Sequence, residues 1–399
     1  MVSDAVPRRF AAGDGLRAIA AMLVLVFHAA VATLLWKFGQ GAVKGEAPGQ
    51  FRPIFGTFAA EFVNMRAGIY IFFVLSGYLL TRTFLAAYLL GTPAPSISRY
   101  FRNRALRIIP AFWVITTVYL AWSRFHSGGG ILGLAAVYGF AQNYYSTPAA
   151  ELVGQAWTLD LEVAFYILIP IASVIALYAG RRMRTTPLAR LGIVLAVLLG
   201  LYALSLQFKH DAGNPGTLTY NIADYLFAFI PGIAIAAVEP FVAPRLRGTR
   251  AGGAWALGLL ALSIALLGVY ISWPANEYGP RLILVTLGCG ALLAAPLALQ
   301  WTTGGCWRWL DNRVMHWLGE RSYGIYLIHL GLMTHVLARV GHSHGVKTTY
   351  WLLLVGVTIA TLIAADLLWR FVERPALQRR LPWRQAEFAR PAAIGAAKT

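Results

Sequence analysis

Charge is what this chain most lacks. Asp, Glu, Lys and Arg together make up 13% of its 399 residues, against about 25% in an ordinary soluble domain. Acidic residues are the scarcer kind, 16 against 34 Lys and Arg. So few charges cannot coat a soluble globule of this size. Cysteine is almost absent. Cys289 and Cys306 have no metal-ligand spacing, so no metal site is expected and any disulfide framework would be minimal. A cleavable leader is also missing from the reading. The first apolar run starts near Gly15, is about 20 residues long and lacks a small-residue cleavage site.

Long apolar runs are what the sequence has instead, with hydrophobic residues at 58%. A helix needs roughly 20 apolar residues to cross hydrocarbon. Ten runs meet that length, near 15–36, 67–88, 106–122, 153–179, 190–207, 220–238, 252–273, 281–301, 321–340 and 350–370. The stretch Ile131–Gln142 is too short to span and reads as interfacial or re-entrant. The fold class is therefore an all-α integral membrane protein of about ten transmembrane helices with no soluble domain. Residues 8–375 form one transmembrane domain, and residues 376–399 a basic tail interrupted by Pro382 and Pro391. That tail is expected to lie against anionic lipid.

The net charge of +18 reads as topology, and no nucleic-acid partner is expected. With the N-terminus in the cytoplasm, 24 of the 34 basic residues fall on cytoplasmic segments and nine on the outer side, with Arg17 between. That asymmetry follows the positive-inside rule and puts both termini in the cytoplasm. The expected location is the inner (plasma) membrane, crossed many times.

Ionisable groups inside hydrocarbon are costly and usually mark function. His28, Glu162 and His329 are expected at similar depth on three helices, which suggests one shared interior site. The plainer alternative is a hydrogen-bond network tying helices together. Arg17 and His28 are eleven residues apart, three helical turns, so they share a face with a rise of about 16 Å between them. Asp14 precedes Arg17 by three and can pair with it. A cation at the cytoplasmic mouth and a titratable base at depth suit a long ligand with a phosphate head and a reactive far end. Alternatively, Arg17 snorkels to lipid phosphate. A second basic group, from Arg99 through Arg102, Arg104 and Arg107 to Pro110, is placed in the loop entering the third helix. It reads either as a phosphate site or as a plain inside-positive flank.

Six blocks carry a resemblance. They are Asp14-Gly-Leu-Arg17 running on to His28; Phe72-Phe-Val-Leu-Ser76-Gly77-Tyr78; Arg104-Ala-Leu-Arg107-Ile-Ile-Pro110; Trp157-Thr-Leu-Asp-Leu-Glu162 running on to Tyr166; Ser322-Tyr323-Gly-Ile-Tyr326-Leu-Ile-His329; and Phe371-Val-Glu373-Arg374-Pro375. Together, in that order, they resemble the acyltransferase family 3 membrane proteins. The resemblance implies a membrane enzyme that takes an acyl group, commonly acetyl, from acyl-coenzyme A. The acceptor would be a hydroxyl of a cell-envelope sugar, a lipid-linked glycan or a small molecule such as a macrolide. It implies that Arg17 and His28 are the essential pair. Some members carry a further C-terminal esterase-like domain, for which this chain is expected to end too soon.

Acyl transfer needs a base for the acceptor proton, a group for the oxyanion, and a thioester within reach of the base. His28 is the natural base, since an imidazole can accept and return a proton near neutral pH. Glu162 is expected to orient that imidazole or bind acceptor hydroxyls. Arg17, Arg104 and Arg107 are expected to hold the nucleotide phosphates. Asp14, Ser76, Tyr166, Tyr323 and His329 are expected to support the site or meet the acceptor. Acyl-CoA is then a co-substrate, acetyl-CoA in the first instance, with no resident cofactor. No Gly-x-Ser-x-Gly element supports a serine nucleophile. The competing class is a multi-pass transporter or flippase of a glycolipid or small polar solute, with which the Pro231-Gly232 interruption is compatible. A purely structural or sensor role ranks third.

Overall fold

The computed structural model describes residues 10–38, 65–122, 130–144, 153–182, 185–211, 220–249, 251–272, 279–340 and 344–381. Among them every regular element is helical. The chain is an all-α integral membrane protein. Among the described residues nine helices are long and apolar enough to cross a membrane. They are α1 (Gly13–Phe38), α2 (Ala67–Leu90), α3 (Ile97–Trp122), α5 (Trp157–Arg182), α6 (Pro187–Asp211), α7 (Ile222–Leu246), α8 (Ala251–Ser272), α9 (Pro280–Thr303) and α11 (Val346–Gln378). The tenth long helix, α10 (Arg313–Val340), has the length but not the apolarity. Its polar side chains find partners inside the bundle. Arg321, for example, bonds Asp366 of α11 at 2.6 Å and lies over the Trp317 ring. The short run after α3 is a nine-residue helix, α4 (Gly130–Tyr138), far below spanning length.

Burial divides the bundle into an inner and an outer set. The faces of α1, α2 and α9 are mostly enclosed, whereas α6 buries only Leu198, Ser205 and Lys209. Likewise α8 buries only Gly252, Ala256, Ser263 and Tyr270 and turns Trp255, Leu257 and Ile264 outward. Lipid is as apolar as these side chains, so tight helix contact comes from close backbone approach at small residues. Two crossings show this. A Cβ added at Gly77 of α2 would lie 2.2 Å from Phe229 O of α7, and one at Gly232 of α7 would lie 2.0 Å from Val74 O. Similarly, a Cβ at Gly15 of α1 would meet Leu310 O at 2.3 Å, and one at Gly319 of α10 would meet Asp14 O at 2.2 Å. The first contact locks α2 to α7. The second fixes the end of α1 that carries Asp14 and Arg17 against α10.

Three local features depart from the sequence reading. The basic stretch placed in a loop is helical: α3 starts at Ile97, nine residues before the apolar run. Tyr100 and Asn103 are buried on its inner side, so the arginines project from a fixed scaffold. Second, α11 contains two π-helical segments, Leu352–Val357 and Trp369–Glu373. The latter delivers Glu373 against Gly324 of α10, where an added Cβ would lie 3.1 Å from Glu373 Oε1. Third, α11 runs on through Gln378 into the segment assigned to the tail, while residues 382–399 lie outside the described set, as do residues 8 and 9.

Candidate active site

Arg17 of α1, Arg104 and Arg107 of α3, Ser76 of α2, Glu162 and Tyr166 of α5, and Tyr323 and Tyr326 of α10 line one cavity of about 90 Å³. Helical periodicity explains the selection. Arg104 and Arg107 are three apart, as are Tyr323 and Tyr326, and Glu162 and Tyr166 are four apart, so each pair shares a face. Glu162 Oε1 accepts from Tyr166 Oη at 2.7 Å and from Ser76 Oγ at 3.1 Å. Arg104 stands over the rings of Tyr100 and Tyr166, each 5.8 Å from the guanidinium carbon. Arg17 Nη1 bonds Asp14 Oδ1 at 3.1 Å, and the other oxygen of Asp14 meets His316 Nδ1 at 3.1 Å. Tyr323 Oη donates to Ile108 O at 3.0 Å, bracing α10 against α3.

Two histidines meet one turn further along α10. His329 Nε2 and His28 Nδ1 are 3.1 Å apart, their ring centroids 4.9 Å. His329 is 1% exposed, while His28 is only partly buried. The neighbouring carbonyls assign the protons. His329 Nδ1 lies 3.1 Å from Ile325 O, which can only accept, so Nδ1 carries a proton and Nε2 a lone pair. His28 Nδ1 lies 2.9 Å from Val24 O and donates to that carbonyl and to His329 Nε2. The neutral pair thus leaves the basic lone pair of His28 on Nε2. His329 fixes the tautomer as an orienting partner does for a general base.

Tyr326 joins the two parts. It lines the arginine cavity, and its ring lies 5.9 Å from that of His329. Its hydroxyl donates to Gln155 O and shares a hydrogen bond with Thr158 Oγ1. The sequence reading passed over Tyr326 as a site residue, although the Tyr323-x-x-Tyr326-x-x-His329 spacing puts all three on neighbouring turns of one face.

Glu162 corrects an expectation. Of its two expected roles, orienting the His28 imidazole or binding acceptor hydroxyls, the geometry does not support the first: its partners are Ser76 and Tyr166, while those of His28 are Val24 and His329. The reason is where α5 begins. A 3-10 turn, Gly154–Ala156, precedes it with Gln155 and Ala156 buried, and Asp160 Oδ2 accepts from the backbone of Asn143 at 2.9 Å. The helix therefore starts already inside the protein. Thr158 meets Tyr326, so Glu162 falls one turn lower, near Tyr323. That is two turns from His329, roughly 9 Å along the axis.

A polytopic helical bundle with an arginine-lined cavity beside an imidazole pair belongs to the class of all-α integral membrane proteins. The chain is a member of acyltransferase family 3: the family model described as an acyltransferase domain matches residues 10–370. YrhL of Bacillus subtilis is 27% identical over 389 residues, covering 91% of this chain and 54% of the relative. The peptidoglycan O-acetyltransferase OatA of Listeria monocytogenes is 24% identical over 385 residues, again 91% of this chain and 55% of the relative. This chain spans about half the length of both. The exopolysaccharide production protein ExoZ of Rhizobium meliloti is 28% identical over 334 residues, 78% of this chain and 90% of the relative. No solved structure matches the chain significantly.

Proposed function

We propose that this protein is a membrane O-acyltransferase that passes an acetyl group from cytoplasmic acetyl-CoA to a hydroxyl of a cell-envelope glycan. Membership of the family supports the reaction class, and relatives named for peptidoglycan O-acetylation and exopolysaccharide production support the acceptor class. The observation that supports the reading is one of adjacency: the arginine cavity is walled by Tyr326, whose ring neighbours that of His329. Arg17, Arg104 and Arg107 line the cavity with Tyr326, and His329, next to Tyr326, meets His28.

In this mechanism the guanidinium groups hold the phosphates of the donor through charge-assisted hydrogen bonds. The pantetheine arm is about as long as the 16 Å rise from Arg17 to His28, so the thioester arrives near the imidazoles while the nucleotide stays at the mouth. His28 Nε2 takes the acceptor's hydroxyl proton as its oxygen bonds to the thioester carbon. The carbon–sulfur bond then breaks, and His28 returns the proton to the leaving thiolate. The Glu162 carboxylate, set between Ser76 and Tyr166, binds hydroxyls or the donor's amide groups in the cavity rather than orienting the base.

The test is radiolabelled acetyl-CoA supplied to the cytoplasmic face of vesicles holding the full chain, with peptidoglycan or polysaccharide fragments on either side. Label should enter the glycan as an alkali-labile ester. His28→Ala should cut that transfer by about 10²–10⁴, the usual contribution of a general base, with membrane insertion unchanged. Absence of labelled ester from the wild type would sink the reading, and full activity in His28→Ala would remove His28 from it.

A further inference from the structure

Beside the cavity stands a fourth cation, carried by residues assigned from the sequence to the tail. After α11 ends at Gln378 the chain follows α3 as far as Leu381. Asn103 of α3 clasps that stretch: its Nδ2 donates to Leu381 O and its Oδ1 accepts from the Leu381 N–H, both at 3.1 Å. On the other side Arg102 Nη2 donates to Arg379 O at 3.5 Å. Arg380 is therefore tied at both flanks, within electrostatic range of Arg107, Arg104 and Arg17. The Nε and Nη2 of Arg380 are buried and have no acceptor among the described residues.

This arrangement is unfavourable on its own. Burial, and then repulsion from Arg107, Arg104 and Arg17, pulls the Arg380 pKa down to about 9. Donors buried without acceptors add a further penalty. Among the described residues, none of the nearby carboxylates accepts a hydrogen bond from these two nitrogens. Asp14 is shared by Arg17 and His316, Glu162 is engaged by Ser76 and Tyr166, and Glu373 lies among Arg107, Arg321 and Arg380. A planar guanidinium with two open donors matches the oxygens of a phosphate.

We infer that Arg380 is the fourth arm of a phosphate-binding site formed with Arg17, Arg104 and Arg107, held in place by Asn103. The inference rests on the proposed acyl-CoA reading for the identity of the ligand, because the same chemistry would also hold an anionic lipid headgroup.

The experiment uses the full chain in lipid nanodiscs, as wild type, Arg380→Gln and Arg380→Lys. Transfer is measured with acetyl-CoA and with S-acetylpantetheine, which has the thioester but no phosphate, and thermal protection is measured with coenzyme A. Arg380→Gln should raise KM for acetyl-CoA by about tenfold, as expected for one lost charge-assisted contact. Its kcat, and its KM for S-acetylpantetheine, should stay at wild-type values. A packing defect would shift both donors together. Arg380→Lys should fall between the two, and carries the comparison alone if the Gln variant does not fold. Equal acetyl-CoA KM and equal coenzyme A protection in all three proteins would overturn the inference. If coenzyme A fails to protect the wild type but phosphatidylglycerol does, relative to phosphatidylcholine, and Arg380→Gln abolishes that protection, the phosphate comes from lipid. The site would then stand while the donor reading falls. Protection by neither overturns the site.

Discussion

Two cavities open at the same end of the bundle, on opposite faces of α2, and each is built round a glutamate. The smaller is the site described above, with Ser76 of α2 bonded to Glu162. Two residues on, Tyr78 points the other way and donates to Glu239 Oε1 at 3.0 Å, in a cavity of about 320 Å³ between α2, α7 and α9. There the carboxylate also accepts from Trp301 Nε1 at 3.2 Å and faces Arg82 at 3.9 Å. The larger space is thus the more self-contained one, its carboxylate held by two neutral donors and one cation. The smaller collects arginines from α1 and α3, and its wall residue Tyr326 neighbours the imidazole pair. Volume alone does not choose between the two. The proposed chemistry falls to the smaller cavity for its three arginines and for the histidines beside Tyr326.

The sharpest way to break that contrast is to remove one arginine from each side. Arg17→Ala should raise KM for acetyl-CoA by about 10–100-fold, the loss of a contact to a charged group being worth about 1.5–3 kcal/mol. Arg82→Ala, in the larger cavity, should leave that KM unchanged. Equal effects from the two, read from transfer kinetics in vesicles, would mean that the smaller cavity has no special claim on the donor.

A second variant strikes the wall both cavities share. Gly77 lies between Ser76 and Tyr78, and an added methyl would sit 2.2 Å from the backbone of Phe229. Gly77→Ala must push α2 off α7, at about 1–3 kcal/mol for overpacking. The melting temperature in detergent should fall, and activity should fall with the folded fraction rather than through KM. A selective rise in KM would show instead that the crossing tunes the donor site.

How much of this the chain announces differs between fold and site. Ten apolar runs near spanning length are a one-dimensional signal, and all ten correspond to long helices. Charged residues at a helix start are a weaker signal, so the first nine residues of α3 read as loop although Tyr100 and Asn103 anchor them as helix. That Arg17 and His28 share a face was legible because they lie eleven residues apart on one helix. Relations between helices were not. The depth of Glu162 depends on how far α5 is inset, and Arg380 stands beside the cavity where Asn103, 277 positions earlier, captures the backbone of its neighbour Leu381. No periodicity encodes a contact of that separation.

The smallest expected effect lies at the edge of the arginine cavity, outside the span read for α10 at 321–340. His316 Nε2 bonds Asp311 Oδ1 at 2.6 Å and its Nδ1 meets Asp14, the partner of Arg17. The hydrogen bonds to Asp14 and Asp311 raise the His316 pKa above its ordinary 6.5. A raised value means the folded state holds the proton more tightly than the unfolded chain does. The stabilisation is therefore complete below pH 6.5 and disappears as pH climbs through the raised value. His316 is 36% exposed, so water screens the pair and the contribution stays under about 1 kcal/mol. Comparing wild type with His316→Gln by thermal unfolding should show the largest gap near pH 6, narrowing steadily toward pH 9. A gap that did not change with pH would mean that the ring acts as a neutral hydrogen-bond partner. Arg17 would then be held by Asp14 without help from a second cation.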